Sequence, residues 1–262
     1  MARKTVLYKR QGNVGIITLK RPERLNAING ELLRDFVQQL KRAREDKQAL
    51  AVVLTGSGRA FCAGEDLKET VTGKTFETWV EETDGLQDIQ RDIMRLGKPL
   101  IAAVRGYALG GGCEFALSCD IRIAAEDAKF GFPETEVGLT VTTAGTKLLT
   151  HIVGLGRAKE MIFTAELIDA HEAYRIGLVN RIVPEKSLMH EAMLLAKKIA
   201  EKSPLALRLS RIAIDQGLGA SIEQILELEA SHLLICVENK SQRQYTHSKL
   251  ARIKGTQATE HN

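Results

Sequence analysis

The chain has 262 residues, of which 44% are hydrophobic, and this is enough to form one α/β core with or without an appended region. Its 37 basic and 33 acidic residues leave a formal net charge of +4, which is too small to indicate nucleic-acid binding by itself and would tolerate a polyanionic small molecule. The basic N-terminus leads into strand residues without the apolar stretch of a secretory signal, and no apolar run approaches the length of a membrane span, so we expect a cytoplasmic protein.

The first part of the chain alternates between strand and helix patterns. Apolar residues at helical spacing predict a helix over residues 30–46 and a second one over roughly 86–96, and the glycines near residue 110 begin a third. This exchange of strands and helices favours a layered α/β core. The predicted strands cover residues 6–9, 14–19, 50–55, 100–104 and 121–124.

Beyond Thr142 the pattern becomes almost wholly helical, interrupted by glycines and prolines. We therefore predict an α/β core over residues 1–183 and a helical C-terminal region over residues 184–238. Residues 239–262 contain several lysines and arginines and few apolar residues, so we expect a basic, polar and flexible tail.

Residues 70–84 are polar apart from four apolar side chains. This composition favours a surface loop, and the functional alternative is a mobile lid over a pocket. The sequence alone does not assign a chemical role to this segment.

The four cysteines have no metal-binding pattern. They form no C-x-x-C pair and no cluster with histidine at metal-ligand spacing, so we expect reduced thiols and no metal site. Cys113 would be a candidate nucleophile, but no histidine lies near it in the sequence, and a packed thiol is favoured. The cysteines are Cys62, Cys113, Cys119 and Cys236.

The most informative stretch is GYALGGGCEFALSCD, residues 106–120. The three glycines at 110–112 have no side chains, so their backbone N–H groups can approach a ligand where a buried helix begins. Glu114 follows among apolar residues, and Glu134 lies in FGFPETEVGL, residues 130–139; a half-buried glutamate needs a function or a partner. The structural alternatives are a glutamate that favours the helix dipole at position 114 and an ion-paired loop residue at position 134.

Five separated segments resemble, in order, the signature segments of the crotonase (enoyl-CoA hydratase/isomerase) superfamily. The likeness runs from about Val14 to Glu229 and is closest to enoyl-CoA hydratase. It implies a spiral of β-β-α turns with an α-helical C-terminal region that trimerises, often as a dimer of trimers. The segments are RPERLNA at 21–27, FCAGEDLK at 61–68, residues 106–120, residues 130–134 and AHEAYRIGLVNRIV at 170–183.

The resemblance implies a hydro-lyase that reversibly adds water, in the syn sense, to a trans-2-enoyl-CoA thioester, as in the β-oxidation of fatty acids. Glu114 would activate the water and Glu134 would protonate Cα. The backbone N–H groups of Glu65 and Gly111 would hold the thioester oxygen in an oxyanion hole. Coenzyme A is then part of the substrate, and we expect no separate cofactor, no metal, no nucleic acid and no membrane partner.

The same resemblance implies a surface that binds the coenzyme A portion of the substrate. The structural alternative for residues 63–67 is an ordinary strand-to-helix turn. Arg24 is a candidate partner for a phosphate of coenzyme A, with an ordinary surface arginine as the alternative. The predicted substrate-binding residues are Arg24, Leu25, Ala27, Ala63, Asp66, Leu67, Lys68, Gly110 and Pro133.

The sequence departs from the family pattern at three places. Glu65 is a carboxylate where relatives often have a small or apolar residue, and TTAGT at 142–146 replaces a segment that is commonly richer in glycine. The chain after Cys236 lacks the Phe-rich, Lys-Arg-Pro ending of the family. The first two departures concern the acyl end of the substrate, and the third concerns packing between subunits.

Two other functions stay open. One is a Δ3,Δ2-enoyl-CoA isomerase, or another acyl-CoA lyase of the family; in the isomerase one carboxylate moves a proton between Cα and Cγ. The other is a non-catalytic module that binds a polyanion through its basic tail, although the modest net charge argues against it.

Overall fold

The structure, a computed structural model, describes residues 4–259. Backbone contacts divide the chain after Lys197 into two compact units. The boundary predicted at residue 183 therefore lies 14 residues before the division, because most of the helix that follows it belongs to the first unit. Residues 239–259 belong to the second compact unit rather than to a separate tail.

Within the described residues, the strands form a six-stranded sheet in the order β1-β2-β3-β4-β6-β9 and a three-stranded sheet in the order β5-β7-β8. In the larger sheet β1 is antiparallel to β2 and the other pairs are parallel. The strands are β1 Val6–Gln11, β2 Val14–Leu19, β3 Ala51–Gly56, β4 Leu100–Val104, β5 Tyr107–Leu109, β6 Ile121–Ala125, β7 Lys129–Gly131, β8 Ile168–Asp169 and β9 Arg181–Val183.

Helices cover the sheets and make up the described part of the second unit. None of the helices described is both long enough and apolar enough to cross a membrane. They are α1 Gly30–Glu45, α2 Leu67–Val71, α3 Phe76–Met94, α4 Gly111–Leu117, α5 Gly145–Val153, α6 Leu155–Thr164, α7 Ala170–Arg175, α8 Leu188–Ala200, α9 Pro204–Gly217, α10 Ile222–Glu238 and α11 Ser241–Thr259. Short 3-10 helices lie at Pro22–Arg24, Pro133–Val137 and Glu185–Ser187.

The core lies between the large sheet and the helices that pack on it. Every residue of β3 and β4 is buried, as expected for central strands of a parallel sheet covered by helices. Phe36 of α1 meets Phe115 of α4 edge to face, with ring centroids 5.2 Å apart. This contact anchors α4, the helix that carries Glu114, from inside the core.

The structure confirms the strands predicted in the first part of the chain and the helices predicted at residues 30–46 and after the glycines. It adds four strands that the pattern did not predict, β5, β7, β8 and β9. Each of these has three residues or fewer, which is too short to show a strand periodicity.

The loop prediction for residues 70–84 holds at residues 72–75 and is wrong for residues 76–84. Helix α3 begins at Phe76, ten residues before the predicted start, and the Thr75 side chain caps it by accepting a hydrogen bond of 3.2 Å from the Thr78 N–H. The helical spacing of Trp79, Thr83 and Leu86 is present in the sequence. It is easily overlooked because polar residues on the solvent face surround it.

The prediction of a flexible tail also needs correction for its described part, because Ser241–Thr259 is helix α11. Glutamine, lysine, arginine and alanine have high helix propensity and support a helix without an apolar stripe. Residues 260–262 of the predicted tail lie outside the described residues.

Candidate active site

A cavity of about 160 Å³ in the first unit brings together the four residues predicted to carry the chemistry: Glu65, Gly111, Glu114 and Glu134 all line it. These residues come from separate segments, so the fold rather than local sequence creates the site. The other lining residues are Ile28, Trp79, Glu82, Thr83, Leu86, Leu139, Thr140 and Thr142.

The glycine turn before α4 lets the backbone pass close to Glu134. Gly110 has φ +51°, in the region that favours glycine, and a Cβ atom built on it would lie 3.0 Å from Glu134 Oε1. A Cβ atom on Gly112 would lie 2.2 Å from the Cys62 carbonyl oxygen. Glycine is therefore required at both positions, one for the carboxylate and one for the packing of α4.

Glu114 lies in the first turn of α4 and is only 1% exposed. Its Oε1 accepts hydrogen bonds from the backbone N–H groups of Thr142 at 3.1 Å, Thr143 at 2.5 Å and Gly145 at 3.3 Å. Burial raises the pKa of Glu114, and these three donors oppose that rise because they stabilise the charged form. One carboxylate oxygen of Glu114 is thus fixed by the protein, in a residue that lines the cavity.

The segment at 142–146 forms a tight cradle for Glu114. A Cβ atom built on Gly145 would lie 2.7 Å from Glu114 Oε1 and 2.6 Å from Val141 Cγ1. The segment contains one glycine, Gly145, and the N–H group of this glycine donates a hydrogen bond to Glu114. The departure TTAGT therefore preserves the anchoring of Glu114.

Glu134 follows Pro133 in the 3-10 helix Pro133–Val137 and meets different surroundings. Both of its carboxylate oxygens are buried without a hydrogen-bond partner among the described residues. Burial first, and then the negative charge of Glu114, raise the pKa of Glu134 to about 7. This carboxyl group can therefore be either protonated or ionised near neutral pH, as a proton donor in this cavity requires.

Glu65 and Gly111, whose backbone N–H groups are predicted to form the oxyanion hole, both line the same cavity. Ile28 accepts the hydrogen bond of Asp66 N–H and donates to the Gly64 carbonyl, so the Glu65 N–H between them faces away from Ile28. Gly111 is the first residue of α4, where an N–H has no carbonyl in the preceding turn to bind.

The carboxylate of Glu65 is not a free charge in the cavity, because it forms an ion pair with Lys74. Its Oε1 accepts hydrogen bonds from Thr70 Oγ1 at 2.8 Å and from the Lys74 ammonium group. Lys74 Nζ also donates to Glu82 Oε2 at 2.6 Å and lies 4.9 Å from the centre of the Trp79 ring. We refer to Glu65, Thr70, Lys74, Trp79 and Glu82 as the Lys74 cluster.

The predicted coenzyme A residues fall on two joined segments. The Ala63 N–H donates to the Leu25 carbonyl at 3.1 Å, which brings residues 24–27 beside residues 63–68. Arg24, Leu67 and Lys68 are exposed, Leu25, Ala63 and Pro133 are partly exposed, and Ala27 and Gly110 are buried. Asp66 is 3% exposed, and its carboxylate pairs with Arg21 Nη2 at 3.0 Å, so its side chain is held within the protein.

Sequence reasoning missed the wall of the cavity that α3 supplies. Trp79, Glu82, Thr83 and Leu86 line the cavity from this helix, and Glu82 is buried. The signal was the helical spacing of Trp79, Thr83 and Leu86, which the polar composition of residues 70–84 outweighed. Lys74 gave no signal, because its partners lie eight and nine residues away in the sequence.

Comparisons with known proteins identify the relatives of this chain. The model of the family described as enoyl-CoA hydratase/isomerase matches residues 9–255. The chain is similar to the short-chain-enoyl-CoA hydratase of Clostridium acetobutylicum, with 41% identity over 91% of both chains. It is also similar to the crotonyl-CoA hydratase of Syntrophomonas wolfei, with 37% identity over 93% of this chain and 94% of the relative. Among solved structures, an enoyl-CoA hydratase from Mycobacterium smegmatis matches with a TM-score of 0.89 and 31% identity, over 95% of this chain and 97% of the other.

Proposed function

The chain belongs to the enoyl-CoA hydratase/isomerase family, and from this premise we propose that it catalyses the reversible syn addition of water to a trans-2-enoyl-CoA thioester. The solved relatives confirm the predicted crotonase-type α/β fold with a helical C-terminal region. The observation that carries the proposed chemistry is the pair of carboxylates in one cavity, of which Glu114 is anchored and Glu134 is unpartnered with a pKa of about 7.

In the proposed reaction, ionised Glu114 removes a proton from a water molecule whose oxygen forms a bond to Cβ. The electron pair of the carbon–carbon double bond moves toward the thioester, and protonated Glu134 gives its proton to Cα. The product is a 3-hydroxyacyl-CoA, with Glu114 protonated and Glu134 ionised. Return of one proton from Glu114 to Glu134 restores the starting state, so atoms and charges balance.

The backbone N–H groups of Glu65 and Gly111 would stabilise the negative charge that develops on the thioester oxygen. Backbone dipoles fixed by the fold need no reorganisation during the reaction, and loss of one such donor typically costs about 2.7 to 4 kcal/mol. Both residues line the cavity with the two glutamates, which supports this assignment. The exposed side chains of Arg24 and Lys68, on the segment pair 24–27 and 63–68, support binding of the coenzyme A phosphates there.

An assay of crotonyl-CoA hydration tests the proposal. The reaction is measured as the decrease in ultraviolet absorbance of the enoyl thioester. We expect rapid loss with the wild type and a decrease of kcat by about 10²- to 10⁴-fold in Glu114→Gln and in Glu134→Gln, because each removes one proton-transfer group. Glu136→Gln is the matched control, since Glu136 is exposed in the same 3-10 helix as Glu134. Full activity of Glu114→Gln would contradict the assigned role.

The pair of carboxylates favours hydration over isomerisation, because an isomerase needs one carboxylate to move a proton between Cα and Cγ. A 3-enoyl thioester separates the two functions. A hydratase leaves this substrate unchanged, whereas conversion to the 2-enoyl thioester without a 3-hydroxy product would assign isomerase chemistry.

The resemblance also implies a homotrimer or a dimer of trimers, and we propose such an assembly. It is supported by a stripe of exposed apolar side chains on α10, because a large apolar surface on a soluble protein usually marks an interface. The stripe contains Ile222, Leu226, Leu233 and Val237, whose exposed fractions are 75%, 54%, 65% and 46%.

A further inference from the structure

The Lys74 cluster forms a buried, ion-paired part of the cavity wall. Three of its members, Glu65, Trp79 and Glu82, line the cavity directly. The side chains of Lys74, Glu82 and Glu65 are only 5%, 7% and 20% exposed. Lys74 lies behind this wall and ties the segment after β3 to helix α3 through its two carboxylate partners.

The positive charge of Lys74 is already paired within the cluster and is not available to bind a ligand. Burial alone would lower the pKa of Lys74, but the hydrogen bonds and charges of Glu65 and Glu82 outweigh it and raise the pKa. The ammonium group therefore stays charged at neutral pH, and both of its acidic partners are close enough to neutralise it. Burial raises the pKa of Glu82, and Lys74 opposes that rise. The cluster has two carboxyl groups for one ammonium group, so it has no unpaired positive charge to offer a ligand.

The following step rests on the proposed function. If the thioester oxygen binds at the N–H groups of Glu65 and Gly111, and Cα and Cβ lie at Glu134 and Glu114, then the rest of the acyl group must fit between the remaining walls. These walls are the α3 residues of the cavity and the segment at 139–142. If the α3 wall moves aside, Lys74 must lose its contact either with Glu65, on the segment after β3, or with Glu82, on α3.

We propose that the Lys74 cluster closes the acyl end of the cavity and restricts the substrate to short acyl groups that carry no terminal negative charge. A longer chain meets the ion-paired wall. A terminal carboxylate meets two glutamates, while the only nearby ammonium group of the cluster is already paired with both of them.

The test compares kcat/KM for crotonyl-CoA and for trans-2-octenoyl-CoA. We expect the wild type to prefer crotonyl-CoA by at least about tenfold, since even one methylene in a pocket changes selectivity by roughly 10- to 200-fold. Lys74→Ala removes the ammonium and its methylene chain and is expected to raise the octenoyl-to-crotonyl ratio at least about tenfold. Lys74→Arg keeps a cation that can bind both carboxylates and is expected to retain the wild-type ratio.

Lys47→Ala is the matched control, because Lys47 is exposed between α1 and β3, outside the residues that line the cavity. Equal turnover of both substrates by the wild type, or an unchanged ratio in folded Lys74→Ala, would overturn the proposal. If circular dichroism shows that Lys74→Ala is unfolded, Glu82→Gln weakens the same cluster from α3 and must raise the ratio instead. Glutaconyl-CoA, which carries a terminal carboxylate, is expected to react at least about tenfold less efficiently than crotonyl-CoA, and equal efficiency would overturn the charge selection.

A binding measurement separates this inference from the proposed function. Trp79 is the only tryptophan of the sequence and lies in the cavity wall, so its fluorescence reports ligands there. Butyryl-CoA is expected to bind at least about tenfold more tightly than octanoyl-CoA in the wild type and with a smaller difference in Lys74→Ala. This outcome would support the inference even if hydration were absent, and equal affinities would refute it even if hydration were fast.

Discussion

Glu114 and Glu134 share one cavity but have different surroundings. Three backbone N–H groups hold one oxygen of Glu114, whereas neither oxygen of Glu134 has a partner among the described residues. Donors to the charged form favour ionisation, and an unpartnered buried carboxyl group favours protonation. Burial raises the pKa of both glutamates, and only Glu114 has donors that stabilise its charged form, which supports the proposed roles of Glu114 as base and Glu134 as acid.

The raised pKa of Glu134 predicts how stability depends on pH. Between pH 5 and 8 the unfolded chain has lost the proton of Glu134, while the folded protein keeps it until the pH passes about 7. The folded state thus binds more protons, and the free energy of unfolding falls as pH rises through this window. Glu134→Gln cannot ionise, so we expect its stability relative to the wild type to increase from pH 5 to pH 8.

Urea unfolding at the two pH values measures this change. Glu136→Gln again serves as the control, because the exposed Glu136 lies in the same 3-10 helix. A stability difference between Glu134→Gln and the wild type that does not change with pH would show that the carboxyl group of Glu134 is not perturbed.

Between elements, Asn26 joins the segments that carry the predicted coenzyme A residues. The buried side chain donates to the carbonyl groups of Ser57, Ala60 and Phe61 at 2.9, 2.8 and 3.1 Å and accepts from the Arg21 N–H at 2.8 Å. Its φ of +56° is in the left-handed region, which asparagine adopts more readily than most residues. One side chain thereby satisfies backbone groups of both segments.

Asn26→Ala is expected to lower the free energy of unfolding by at least about 2 kcal/mol, because it leaves several buried polar groups without partners at about 1–3 kcal/mol each. Urea unfolding measures the loss. Asn13→Ala, in the turn between β1 and β2, is the control and is expected to change stability by less than about 0.5 kcal/mol. A similar small effect at Asn26 would mean that water replaces its hydrogen bonds.

The elements with strong periodicity could be predicted from the sequence, and those defined by tertiary contacts could not. The apolar runs of β3 and β4 and the stripe of α1 agree with the structure to within about two residues. Strands of three residues, such as β5 and β7, exist because they pair with each other and not because of their own composition. The first part of helix α3, residues 76–84, is predicted as a loop because its polar face dominates the local sequence, whereas the second part is predicted as a helix.

At the scale of the whole molecule, the candidate site also has a part that could be predicted from the sequence and a part that could not. The residues predicted to carry the chemistry, Glu65, Gly111, Glu114 and Glu134, were found through motifs that resemble a family, and the fold brings them to one cavity. The Lys74 cluster was not predicted, since it depends on a hydrogen bond from Lys74 to Glu82 across the start of α3. The residues proposed to select the substrate therefore needed the structure, whereas the residues proposed to carry the reaction were recognisable from the sequence.

The proposed assembly leads to a final prediction. Ile222, Leu226, Leu233 and Val237 fall within about 60° of one another around α10, as the 100° rotation per helical residue requires, so they form one continuous apolar stripe. Each is exposed in the single chain, which is costly in water unless a second subunit covers the stripe.

Sedimentation at micromolar concentration is expected to give a species larger than the monomer, with the mass of a trimer or a hexamer. Leu233→Glu places a charge in the middle of the stripe and should shift the distribution toward the monomer, because an unpaired charge is costly to bury in an interface. Ser231→Glu adds the same charge to an exposed position about 180° away around α10 from Ile222 and should leave the assembly intact. A monomeric wild type would refute the assembly, and an unaffected Leu233→Glu would place the interface elsewhere than on the α10 stripe.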